Sequence, residues 1–115
     1  MPRYMISFDE GAMTFPDEDL PAVADAAHAV VQEAMAAGVW VFGGGLLPDE
    51  ETRVVDTDGS VSDDARPESG RRIGGFSIVE VPSREEAHRW AAKIAGACRC
   101  AQDVREFMPD PAVGN

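Results

Sequence analysis

His28 stands in the run AAHAVV, where Ala27, Val30 and Val31 recur at helical spacing. One helical step of about 100° from Ala27 puts its imidazole at the border of an apolar stripe. Partly desolvated there, a group whose ordinary pKa is about 6.5 can pass a proton near neutral pH. The same border position suits a histidine bonded to backbone, and both readings stand. His88 takes the matching edge of a second helical stretch and reads as surface. Cys98 and Cys100 form a lone C-x-C with no second Cys/His cluster, a poor zinc signature, so no metal site is expected. The polar stretch SDDARPESGRR sets Asp63, Glu68 and Ser69, with Arg66, Arg71 and Arg72, directly before IGGFSIVEV. Carboxylates in unlike environments can divide acid and base roles, though a charged loop in so acidic a chain can equally be solvated surface.

These groups must be positioned by a small fold. RYMISF (Arg3 to Phe8) is short and rich in β-formers and predicts a first strand. A helix is predicted from Glu18 to Ala37, with Leu20, Val23, Ala27, Val30, Val31 and Ala34 as its apolar stripe. Asp17 suits its N-cap, Glu18 and Asp19 suit the positive end of its dipole, and Gly38 suits its stop. VWVFGGGL (Val39 to Leu46) predicts a second strand and TRVVD (Thr52 to Asp56) a third, turning at TDGS into a brief return arm. IGGFSIVEV (Ile73 to Val81) is the next strand. Ser83 and Glu86 fit a capping box for a second helix that buries Ala87, Trp90, Ala91, Ile94 and Cys98. DVREFM (Asp103 to Met108) closes as a last strand before a flexible tail over 109–115.

Apart from the short return arm, this order is the split β-α-β arrangement of ferredoxin-like α+β folds, an antiparallel sheet with both helices on one face. A length of 115 residues supports one domain. The strand segments are apolar on both faces: Trp40 and Phe42 oppose Val39 and Val41, and Tyr4, Ile6 and Phe8 oppose Met5 and Ser7. Two helices cover one face, so a second copy in a homodimer, of the dimeric α+β barrel type, is expected over the other. Long loops folded over that face are the alternative.

Composition narrows the partners. A formal net charge of −11 repels phosphate backbones and anionic lipid, so neither nucleic acid nor membrane is an expected partner. No apolar run approaches the roughly 20 residues of a membrane span, and MPRYMISFDEG lacks a signal-peptide core, so a cytoplasmic protein is expected. Neither GGGL nor IGGF has the spacing of a phosphate loop, and no cofactor is expected. In a strand interior, Gly74 and Gly75 mark a bulge or a close approach by a ligand or another backbone. The loop from Ser62 to Arg72 is then read as a lid or dimer arm passing over them.

The order of these elements, with AAHAVV in the first helix, GLLP after the second strand, DG in the hairpin, GGF in a strand and VR in the last strand, resembles the YCII-related proteins. The nearest branch is the DGPF-domain group, and the likeness runs from Arg3 to about Met108. Aligned on Gly74-Gly75-Phe76, Asp63 falls on the motif's aspartate, Glu68 on its glutamate, and Ser69 on its threonine. Asp64, Ala65, Arg66 and Pro67 replace the Gly-Pro-Phe-Ala that gives the motif its name, and Gly70 and Arg71 replace its lysine and second acid.

The resemblance implies a ferredoxin-like dimer with a cleft for a small organic molecule and, in some relatives, lyase-type chemistry. It implies a helix histidine, here His28, paired with an aspartate whose position is held by Ala36. It further implies that Arg105 orients an anionic group, and that Asp63, Glu68, Ser69, Gly74, Gly75 and Phe76 line the ligand cleft. The competing reading is a non-enzymatic regulatory or interaction module.

Overall fold

The computed structural model describes residues 1–47, 52–62 and 72–115. In chain order these form β1 (Arg3–Asp9), a 3-10 turn (Asp17–Asp19), α1 (Leu20–Ala36), β2 (Trp40–Gly45), β3 (Val54–Val55), β4 (Val61–Ser62), β5 (Ile73–Glu80), α2 (Arg84–Cys98), β6 (Asp103–Glu106) and a 3-10 turn (Pro111–Val113). Four strands make one antiparallel sheet in the order β2-β5-β1-β6, and β3 and β4 pair separately as a hairpin. Each helix returns the chain to a strand that is not the neighbour of the one before it, which is the ferredoxin-like topology.

Cross-strand partners share a face, so the register assigns sides. Tyr4 lies opposite Val79, Ile6 opposite Ser77, and Phe8 opposite Gly75. Tyr4, Ile6 and Val79 join Ala34 of α1 and Ala87, Trp90, Ala91 and Ile94 of α2 in one buried core. Ile6 and Val79 are fully buried, each contributing about 1.5–3 kcal/mol by transfer from water. Met5 lies opposite Ile78, and Ser7 opposite Phe76, on the face away from the helices.

The second strand departs from simple alternation. Trp40 pairs with Val79, but Phe42 pairs with the adjacent Ile78. The bulge at Val41 turns Trp40 toward the helices and Phe42 toward the open face, where a regular strand would place them together. Phe42 is 64% exposed, and its ring lies 6.2 Å from that of Phe76.

The helix termini follow local chemistry with two shifts. Glu86 N–H donates to Ser83 Oγ at 3.2 Å, while the Glu86 carboxylate accepts from Arg89 at 2.6 Å, so half of the capping box forms. Asp17 opens a 3-10 turn rather than capping α1, and the Asp19 carboxylate accepts from Arg99 at 2.8 Å. This displaces the start of α1 to Leu20, whose side chain is exposed and leaves the predicted stripe. Gly38, at φ +75, ends the helix. In the tail, Ala112 N–H donates to Asp110 Oδ1 at 3.1 Å, and Asp110 and Asn115 exchange backbone bonds, closing a turn over 110–115.

Candidate functional site

A cavity of about 450 Å³ opens between α1, the β2 end of the sheet and the C-terminal end of α2. Its walls are mostly apolar: Phe8 and Met13 at one side, Val31 and Met35 from α1, Trp40 and Ile94 beneath. Polar groups are few, namely His28, Ser77, Cys98 and Gln102. Such a space, apolar with a few convergent polar groups, is the usual form of a small-molecule site.

Each wall follows from an element already described. Alternation along β1 brings Phe8 to the helix side with Tyr4 and Ile6. The bulge in β2 brings Trp40 to the same side. His28 sits on the outer part of α1, exposed to solvent yet bordering the cavity. Gln102, just beyond α2, donates to the Cys100 carbonyl at 3.4 Å and reaches the Cys100 sulfur at 3.5 Å. Burial pushes the Cys98 thiol above its ordinary value, and neighbouring Cys100 adds to the rise. Burial raises Cys100 too, offset in part by the bond from Gln102. Both sulfurs are therefore thiols rather than thiolates at neutral pH. Among the described residues no group of three His, Cys, Asp or Glu side chains is placed to hold a metal ion, and no helix is long and apolar enough to cross a membrane.

The other residues singled out in the sequence fall in different places. Arg105 stands on β6 opposite Met5, on the open face, beside Ser7, Asp9 and Asp103. Within one chain it lies across the sheet from His28, and the described residues that border the cavity of His28 do not include it. Phe76 borders the cavity, although its register turns the ring to the open face against Phe42. Asp63, Glu68 and Ser69 lie outside the described residues, as do Arg66 and Arg71.

Gly74 and Gly75 make room for the chain's own first strand. A Cβ on Gly74 would stand 2.9 Å from Glu10 Cα, and one on Gly75 would stand 2.7 Å from Phe8 Cζ. The register slips here, Phe8 pairing with Gly75 and Asp9 with Ile73, so Gly74 is the extra residue of a bulge. Glu10 N–H then reaches Arg72 O at 2.7 Å. Among the described residues, what closes on the two glycines is the end of β1 with Glu10 just beyond it, and the Gly44 carbonyl of β2; the loop over 63–71 lies outside the described residues.

Trp40, Met13, Met35, Ser77 and Gln102 border the cavity without a pattern in the sequence that marks them as site residues. The alternation Tyr4, Ile6, Phe8 contained the signal for Phe8. Gln102, in a short connection after a helix, carries none.

No family model matches the chain, and no curated protein matches it. Among solved structures the chain is similar to the 5-chloro-2-hydroxyhydroquinone dehydrochlorinase of Burkholderia phenoliruptrix in complex with 2,5-dihydroxybenzoquinone. The TM-score is 0.51 at 15% sequence identity, over 97% of this chain and 98% of that one. At that identity the likeness speaks for the fold.

Proposed function

We propose that this chain is a cytoplasmic, homodimeric protein of the YCII/DGPF type that binds a small, ring-bearing organic molecule between α1 and the sheet and moves a proton on it. The observation carrying this reading is the apolar cavity of about 450 Å³ bordered by His28. Among its described lining groups, His28 carries the imidazole, the side chain suited to taking up and releasing a proton. The structural neighbour supports the choice of ligand class, being a dehydrochlorinase seen with a dihydroxybenzoquinone.

The step itself needs little. Apolar walls strip water from a flat ligand and hold it by contact. Neutral His28 accepts a proton from an acidic C–H or O–H of the ligand. In the elimination form, the electrons of the broken C–H bond form the new double bond, and the leaving group departs as an anion with its own bonding pair. Ser77 and Gln102 are available for hydrogen bonds to ring oxygens. Arg105 has no part in the step within one chain.

The second copy covers the open face. Met5, Phe42, Phe76 and Ile78 form its apolar centre, and a rim of charge includes the Arg3–Glu80 pair at 2.9 Å and Arg105. A greasy centre with a charged rim is the anatomy of a protein interface, and a two-fold axis lets one such patch meet itself.

A second reading, an interaction module without catalysis, draws on Ala36, which supplies no carboxylate where the resemblance places the acid partner of His28. Thermal-shift titration with phenols and with 2,5-dihydroxybenzoquinone separates the two. Binding at about 100 times Kd stabilises the native state by about 2.7 kcal/mol. Where a compound is also turned over, His28→Gln lowers kcat by about a hundredfold or more with stability held within about 0.5 kcal/mol. No shift with any compound, together with a co-purifying protein partner, gives the module reading instead.

A further inference from the structure

Three successive glycines close β2, and their surroundings differ. Gly43 and Gly45 face the helix layer, since their partners Ser77 and Gly75 lie on that side. At Gly43 the space is taken: a Cβ would run into Phe76 O and stand 2.8 Å from Ser77 Cα and 2.9 Å from Trp40 Cη2. That glycine is required by close packing of backbone on backbone.

Gly45 is under no such constraint. Its φ is not in the left-handed region: among the described residues, the glycines with positive φ are Gly11, Gly38, Gly44, Gly59 and Gly114. A Cβ built on it meets nothing within 4 Å among the described residues. The residue nevertheless borders the cavity, on the same side of the sheet as Phe8. Glycine in a strand forgoes the packing and backbone restriction that a β-branched residue brings. Neither strain nor crowding demands it at this position, so its effect is to leave the cavity open where a side chain would stand.

We propose that Gly45 sets the size of the ligand the cavity admits. The inference rests on the proposed small-molecule site and adds a specificity determinant to it. A Cβ at 45 touches no described protein atom, so a small side chain there narrows the ligand space and leaves the described fold in place. Gly43, one pleat away on the same face, cannot play this part, because any substitution there disturbs β5 first.

Calorimetric titration of the full chain with phenol, one ring, and 2-naphthol, two fused rings, tests the proposal. Wild type binds both. Gly45→Val weakens 2-naphthol by about tenfold or more and phenol by less than about twofold, since each carbon misplaced in an apolar pocket is a steep penalty. Gly45→Ala falls between. The melting temperatures of both variants match or exceed wild type, which distinguishes a filled cavity from a damaged strand. If Gly45→Val keeps its melting temperature and binds 2-naphthol as wild type does, the role of Gly45 is overturned. If wild type takes neither probe, the cavity reading itself falls, and the determinant with it.

Discussion

The ring of Phe8 lies over Gly75 so closely that its Cζ is 2.7 Å from where a Cβ would stand. Glycine at 75 thus seats an aromatic wall of the cavity. Gly75→Ala forces the ring, or the Gly44 carbonyl at 3.0 Å, to give way, at a cost of about 1–3 kcal/mol. Urea unfolding measures the loss. Adding Phe8→Leu to Gly75→Ala recovers part of it, so the two changes couple strongly and non-additively.

The open face gives a separate expectation. Phe42, largely exposed, makes a tilted ring contact with Phe76, a pairing that contributes about 1 kcal/mol. Phe42→Arg places a charge at the centre of the proposed self-contact, where desolvating it is costly. Light scattering is expected to find a two-copy mass for wild type and a one-copy mass for the variant, with the fold retained by circular dichroism. A wild-type monomer at high concentration removes the dimer.

The two thiols make stability depend on alkaline pH. Both are raised in the folded chain, so the native state binds their protons more tightly than the unfolded state does. Their contribution is complete below the unfolded value and is lost as pH rises above about 8.5 toward the folded one. Under reductant, urea midpoints of wild type fall over that range, and Cys98→Ala/Cys100→Ala shows a flatter slope. Iodoacetamide labels Cys98, 8% exposed, far more slowly in native protein than in urea.

Ser83 offers the plainest stability test. Its hydroxyl satisfies one otherwise orphaned N–H at the start of α2. Ser83→Ala costs about 1 kcal/mol, while Ser83→Asp holds stability near wild type, since Asp caps equally well.

The α2 segment was legible because its signals agree: Ser83 marks the start, and Ala87, Trp90, Ala91, Ile94 and Cys98 recur at helical spacing and are all buried. The order of elements along the chain follows from the same kind of pattern. The site was legible only in part. His28 was found from its place at the border of a stripe, and it does border the cavity. Trp40 and Phe42 were set on one face because alternation assumes one residue opposite one, and a bulge breaks that count without a mark in VWVF. Arg105 was joined to His28 by resemblance, but strand parity on β6 puts it across the sheet. Gly74 and Gly75 did signal a close approach, yet composition cannot name the visitor, which is the far end of β1 only once the register is known.

Strand β2 is one rim of the sheet, and its kink at Val41 and bare Gly43–Gly45 stretch make that rim a poor template for recruiting another chain through its main-chain groups. The opposite rim, β6, carries Asp103, Arg105 and Glu106 and repels such docking by charge. Growth of the sheet sideways into fibres is thereby discouraged at both margins, and the irregular strand that opens a pocket also guards the protein against runaway self-assembly.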